Sequence, residues 1–112
     1  MSEQTCPFCL IAQHKMPGKT AYEYEDQDLV AFKDIHPLAP VHLLIIPKKH
    51  LSDLNGLTAL DEPLYGKLIR VASELAAKNN IADGWQLFVR VGAKGGQEVK
   101  HVHFHLVSGQ HI

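Results

Sequence analysis

Apolar and polar positions alternate most regularly near the C-terminal end, where Val102, Phe104 and Leu106 interleave with His101, His103 and His105. Successive strand side chains point to opposite faces, so residues 101–107 are predicted as a strand with one apolar face and one row of imidazoles. Histidines two apart on such a face lie roughly 6 to 7 Å apart. Neighbours in the row are then close enough to serve one phosphate or one metal.

The same pattern reading places the other elements. Residues 10–14 suit a short helix, ended by the turn signal Met16-Pro17-Gly18. Residues 20–24 and 29–33 read as two strands of a hairpin around the acidic turn Glu25-Asp26-Gln27-Asp28. Prolines at 37 and 40 keep residues 35–40 irregular, because each removes a donor and restricts its predecessor. Residues 42–46 have the continuous apolar content of a central strand, closed by Pro47. Leu64, Leu68, Val71 and Leu75 then recur at helical spacing with Ala72 and Ala76 beside them, a stripe that should pack on a sheet. Asp61 is the expected N-cap of this long helix, with Glu62 and Pro63 in its first turn, and Asn79, Asn80 and Gly84 end it. A strand over 85–91 and a glycine-rich turn over 92–97 lead into the histidine strand. About five strands joined mostly by short turns, with one substantial helix, predict an α+β fold: a five-stranded antiparallel sheet carrying the helix on one face.

Composition narrows the class. A chain of 112 residues with 46% hydrophobic content supports a single domain over residues 1–112. Eleven basic against twelve acidic residues give a net charge of −1, so no broad attraction to nucleic acid is expected. The polar start, Met1 to Thr5, has no leader pattern, and no apolar run approaches the roughly 20 residues that span a bilayer. A soluble cytoplasmic protein, with neither nucleic acid nor membrane as partner, is the expectation. The only cysteines, Cys6 and Cys9, form Cys-Pro-Phe-Cys. In a reducing compartment such a pair is better suited to metal than to a disulfide, since its sulfurs converge, and no strand precedes it as a thioredoxin-like redox pair would require.

Imidazole near neutral pH can attack phosphorus, move a proton or stabilise charge. His103, flanked by two imidazoles, is the natural nucleophile, and His42 at the start of its strand is a fourth candidate for the row. Gly95-Gly96-Gln97 can bring backbone N–H groups close to an anion, or be a turn and nothing more. Asp34 can accept from sugar hydroxyls, or simply form a turn.

His101-Val102-His103-Phe104-His105-Leu106-Val107 matches the histidine-triad signature, three histidines alternating with apolar residues and closed by two more. Residues 34–42 and 46–50 resemble the Hint-like branch of the histidine-triad (HIT) superfamily. The likeness runs from about Cys6 to Val107. It implies a nucleotide-binding homodimer whose five-stranded sheets join, and a hydrolase or transferase that cleaves purine nucleoside phosphoramidates or acyl-adenylates. By position it makes His103 the nucleophile supported by His42, His101 and His105, and puts Asp34 on the ribose. Phe8, Ile11, Met16, Phe32, Ile35 and Leu44 fall on the nucleoside pocket, with Gly96 and Gln97 on the phosphate-binding turn.

Three departures stand out. Arg90 and Glu98 occupy positions where eukaryotic Hint proteins carry asparagine and serine, with Glu98 a candidate for proton transfer to the leaving amine. The chain stops at Ile112, short of the longer Hint tail. The Cys6–Cys9 pair resembles zinc-containing bacterial relatives, which implies a structural zinc on Cys6, Cys9, His50 and His101. A rival open zinc on His101, His103 and His105 is disfavoured because the outer two lie about 13 Å apart by strand rise. A nucleotide-sensing or zinc-dependent interaction protein with little turnover is the non-enzymatic alternative.

Overall fold

The structure, a computed structural model, describes residues 5–109; residues 1–4 at the polar start and the chain end at Ile112 lie outside this range. In chain order the elements are α1 (Pro7–Ala12), β1 (Tyr22–Glu25), β2 (Leu29–Lys33), β3 (His42–Pro47), α2 (Glu62–Lys78), β4 (Trp85–Val89) and β5 (Phe104–Ser108). The strands form one sheet in the order β1-β2-β3-β5-β4, every neighbouring pair antiparallel. The predicted α+β architecture is the one observed.

The continuous apolar runs of β2 and β3 are explained by cover on both faces. Leu29, Ala31, Leu43, Ile45 and Leu106 face α2 and pack on Leu68, Val71, Ala72, Leu75 and Ala76. Val30, Phe32, Leu44 and Ile46 face the other way, onto α1 and its Cys6, Phe8, Cys9 and Ile11. Leu44 pairs with His105 across the β3–β5 ladder, so the α1 face is also the face that carries the histidines.

Four boundaries differ from the expectation. Helix α1 starts at Pro7 rather than residue 10, because proline at the first helical position has no donor to lose and Cys6 serves as N-cap. The Cys6 Sγ accepts the Cys9 N–H at 3.4 Å. Asp61 is the N-cap residue of α2, as expected, but makes no side-chain cap bond: its carboxylate turns back to accept from the Thr58 N–H at 2.9 Å, closing the 3₁₀ turn Ala59–Asp61. Strand β4 stops at Val89 and β1 starts at Tyr22.

The fourth difference is the histidine stretch. Strand β5 begins only at Phe104, so His101 and His103 precede it. β3 ends at Pro47, which has no N–H for a ladder. β4 likewise reaches only as far as the Val89–Phe104 pair. The Val102 N–H bonds instead to the Leu51 carbonyl at 2.8 Å.

The β1–β2 turn is built on Asp26. Its carboxylate accepts from the backbone N–H groups of Asp28 at 2.7 Å and Leu29 at 2.8 Å, from the Tyr24 hydroxyl at 2.6 Å and from Lys67 of α2 at 2.6 Å. Burial alone would raise its pKa, yet these donors together hold it well below the usual carboxylate range. Asp26→Ala is expected to cost about 2 kcal/mol at neutral pH, from donors left partly unsatisfied. A depressed carboxylate stabilises above its unfolded pKa of about 3.9 and loses that contribution as pH falls through the folded value. Urea titrations of both proteins should therefore show the gap at pH 7 and its narrowing below about pH 4.

Candidate active site

A cavity of about 560 Å³ opens between α1, the proline loop and the start of β5. Phe8, Ile11, Met16, Phe32, Leu44 and Ile35 line it together with Asp34, Gly96, Glu98, His103 and His105. Phe8 and Phe32 meet at 5.7 Å between centroids, and Phe8 lies edge-on to His103 at 4.9 Å. These rings form an apolar slot beside an imidazole. Ile35, 83% exposed, stands at its rim.

The hydrogen bonds of the histidines fix their tautomers. The His42 Nδ1 accepts the Leu38 N–H at 3.0 Å, so the proton of neutral His42 is on Nε2. That Nε2–H donates to His105 Nδ1 at 2.9 Å, which leaves the His105 proton on its own Nε2. The His105 Nε2 is buried and has no protein acceptor among the described residues. His103 runs the other way: its Nδ1–H donates to the His101 carbonyl at 2.7 Å, and its Nε2 keeps the lone pair. One histidine thus presents a base or nucleophile, and its neighbour presents a donor.

Burial, before any other cause, lowers the pKa of His42, His103 and His105, in the last case to about 4. Neutral imidazoles therefore prevail at neutral pH. Asp34 Oδ1 accepts the His36 N–H at 2.9 Å, which fixes the carboxylate and points Oδ2 to within 3.4 Å of His42 Nε2. Phe88 stacks on His105 with centroids 4.6 Å apart and planes 6° apart.

His101 is placed differently from its neighbours. Its ring lies beside the two thiols, Nδ1 at 3.3 Å from Cys6 Sγ and 3.5 Å from Cys9 Sγ, while His50 Nδ1 is 3.1 Å from Cys9 Sγ. Burial pushes the pKa of His101 down to about 4. The four ligand atoms lie within 4.8 Å of one another. A tetrahedral ion with ordinary thiolate and imidazole bond lengths would space sulfur and nitrogen about 3.5 Å apart. The His101 Nε2–H donates to the Pro47 carbonyl at 2.8 Å, which aims the Nδ1 lone pair at the sulfurs. Cys6, Cys9, His50 and His101 can hold a metal ion.

The geometry thus groups nine of the named pocket residues with His103 and His105 but leaves others aside. The His101 imidazole belongs to the thiol cluster, and only its carbonyl reaches His103. The Gln97 side chain is spent on backbone groups, accepting from the Gly92 N–H and donating to the Ser52 and Val99 carbonyls. His101, His103 and His105 do not converge as three ligands among the described residues. Leu38, Phe88 and the His101 carbonyl carry parts of the site that the sequence reading did not name. The Phe88–His105 pairing is set by β4–β5 register, which no local pattern prints.

Comparison with known proteins agrees with this fold. The model of the HIT domain family matches residues 18–112. Protein HitA of Neisseria gonorrhoeae is 42% identical over 102 residues, covering 91% of this chain and 94% of that protein. A purine nucleoside phosphoramidase of Escherichia coli K12 is 39% identical over 111 residues, 98% of this chain and 91% of the relative. Among solved structures, a HIT family hydrolase from Legionella pneumophila superposes with a TM-score of 0.91 at 41% identity, covering 96% of this chain and 95% of that one. A histidine triad protein from Clostridium difficile gives 0.92 at 33% identity, with 100% and 96% covered. The alternating histidines, the sheet that carries them and this agreement over nearly the whole chain place the protein in the HIT domain family.

Proposed function

We propose that the protein hydrolyses purine nucleoside 5′-phosphoramidates, and acyl-adenylates of the same shape, through a nucleotidyl intermediate on His103. The observation that carries this reading is the tautomer of His103, whose Nδ1–H is held by the His101 carbonyl at 2.7 Å and whose Nε2 lone pair is left for attack. The E. coli relative named for purine nucleoside phosphoramidate cleavage supports the substrate class.

In this mechanism the purine enters the slot of Phe8, Phe32, Ile11, Met16 and Leu44, with Ile35 closing the rim. Asp34 takes the ribose hydroxyls. His103 Nε2 forms a bond to the α-phosphorus as the P–N bond breaks. The departing nitrogen takes that bond's electron pair and a proton, which Glu98, exposed on the same cavity wall, relays from solvent. The His105 Nε2–H donates to a phosphoryl oxygen, and its orientation is maintained through His42 from the Leu38 N–H. Gly96 and Gln97 shape the turn beside the phosphoryl group. Water then attacks phosphorus, the His103–phosphorus bond breaks with its electron pair returning to Nε2, and the water's proton leaves through the same rim. One difficult displacement becomes two easier ones.

The metal of the thiol cluster is zinc in this reading, on Cys6, Cys9, His50 and His101. A Cys₂His₂ set leaves no open position, so bound zinc supplies a cross-link and no chemistry at phosphorus. His101 positions His103 through its carbonyl. The protein acts as a homodimer joined along β4, whose outer edge is unpaired among the described residues while its inner edge pairs with β5. Light scattering at twice the chain mass checks the dimer, and a monomeric mass contradicts it.

Incubation with adenosine 5′-phosphoramidate tests the activity. Steady release of AMP is expected. Binding of AMP without any release would favour a nucleotide sensor over an enzyme.

A further inference from the structure

Arg90 follows β4 directly, and its guanidinium carbon lies 5.0 Å above the Phe88 ring. Phe88 is the ring that stacks on His105. On the other side, Gly96 has φ +89, and a Cβ there would meet the Arg90 Cδ at 3.1 Å. The bare glycine gives the arginine stem a notch to lie in. A ring beneath and a notch beside thus hold a guanidinium that forms no ion pair with any carboxylate among the described residues. Its fork is unspent.

Arg90 lines the same cavity as His103, His105 and Glu98. Its positive charge is felt by His42, His103 and His105, where it opposes protonation. A planar guanidinium fixed over an aromatic ring is pre-organised for a planar anion such as a carboxylate, which can accept two parallel N–H bonds. Glu98 shares the wall without closing on Arg90. A leaving group that fits both carries one anionic group and a nitrogen that becomes cationic as it departs. A leaving group bearing a second phosphate would instead crowd extra negative charge beside Glu98.

We propose that Arg90 is a specificity determinant that selects phosphoramidates whose leaving group is a carboxylate-bearing amine, that is, an amino acid joined to the α-phosphorus through its nitrogen. This rests on the phosphoramidate reading above and names its leaving group. Arg90 holds the carboxylate while the P–N bond breaks and takes no proton; the electron pair goes to the nitrogen, as before.

The test compares adenosine 5′-phosphoramidates of phenylalanine and of phenethylamine, which differ only in the carboxylate. The native chain is expected to favour the phenylalanine compound in kcat/KM by about tenfold, the scale of one good charge-assisted pair. In Arg90→Gln the ratio should fall to near unity, and in Arg90→Lys to an intermediate value, since ammonium keeps the charge but loses the fork. Salt should shrink the native ratio, because the side chain is exposed. A ratio unchanged by Arg90→Gln, or an equal loss on both substrates, overturns the proposal; the latter would give Arg90 to the α-phosphoryl group. The two dissociation constants are also measured on His103→Ala. Discrimination in that binding, without AMP release by the native chain, supports Arg90 while rejecting the catalytic reading. Equal binding of both compounds overturns the Arg90 assignment whatever the turnover.

Discussion

His103→Ala is expected to release AMP from adenosine 5′-phosphoramidate more slowly than the native chain by on the order of 10⁴-fold or more, the scale seen when a nucleophile is removed. AMP affinity should stay within about threefold, a change of less than 1 kcal/mol. The two halves of this expectation come from different parts of the cavity. The proposed purine slot of Phe8, Phe32 and Leu44 and the carboxylate of Asp34 belong to α1, β2, β3 and the loop after β2, none of which depends on the His103 ring for its backbone. In the proposed mechanism the reaction depends on that ring entirely, because its Nε2 is the lone pair that the His101 carbonyl keeps available. His105 cannot substitute, since the bond from His42 commits its Nδ1 as acceptor and leaves a donor at Nε2. Initial rates and AMP titrations on both proteins check the pair of outcomes. Equal release by the two proteins would remove His103 from the chemistry.

The second large effect is expected at the thiol cluster. The native chain should carry one zinc, and Cys6→Ser should lose it and at least about 3 kcal/mol of stability, since metal affinity adds to folding free energy when the site forms only in the fold. Cys6 and His101 are fully buried and 95 positions apart in the chain, so a metal held by both would close almost the whole chain. The consequence should reach the active site through a single residue, because His101, whose ring faces the sulfurs, accepts the His103 Nδ1–H at its carbonyl. Cys6→Ser is therefore expected to lower kcat more than it raises KM. Elemental analysis with thermal melts before and after chelation checks the metal. A metal-free native chain whose melting is indifferent to zinc would contradict the assignment.

Much of the fold was legible because its signals are local. The run at 42–46 reads as a central strand, since both its faces are covered, and the Leu64-Leu68-Val71-Leu75 stripe reads as a buried helix face, since α2 packs that face on the sheet. Asp34 and the histidines could be named from residue type, spacing and family likeness. Orientation was another matter. Alternation alone sends His101, His103 and His105 to one side as one strand, but the β3–β5 ladder stops at the Ile45–Phe104 pair, and beyond it the His101 ring lies against the thiols with its Nε2–H on the Pro47 carbonyl. Asp61 has the composition of an N-cap, yet Thr58 competes for its carboxylate and wins. Pro7 could have moved the start of α1 forward, had its preference for the first helical position been weighed against the apolar residues that follow. Phe88 and Arg90 acquire their place beside His105 through strand register, which depends on residues far apart in the chain.

The central claim is a bond between His103 and the nucleotide, and intact-mass spectrometry after rapid quenching with adenosine 5′-phosphoramidate tests it most directly. The account predicts an adenylyl adduct on the native chain, absent from His103→Ala, that rises and decays as AMP accumulates. AMP accumulating from the native chain with no adduct at any quench time, and at the same rate from His103→Ala, would contradict it.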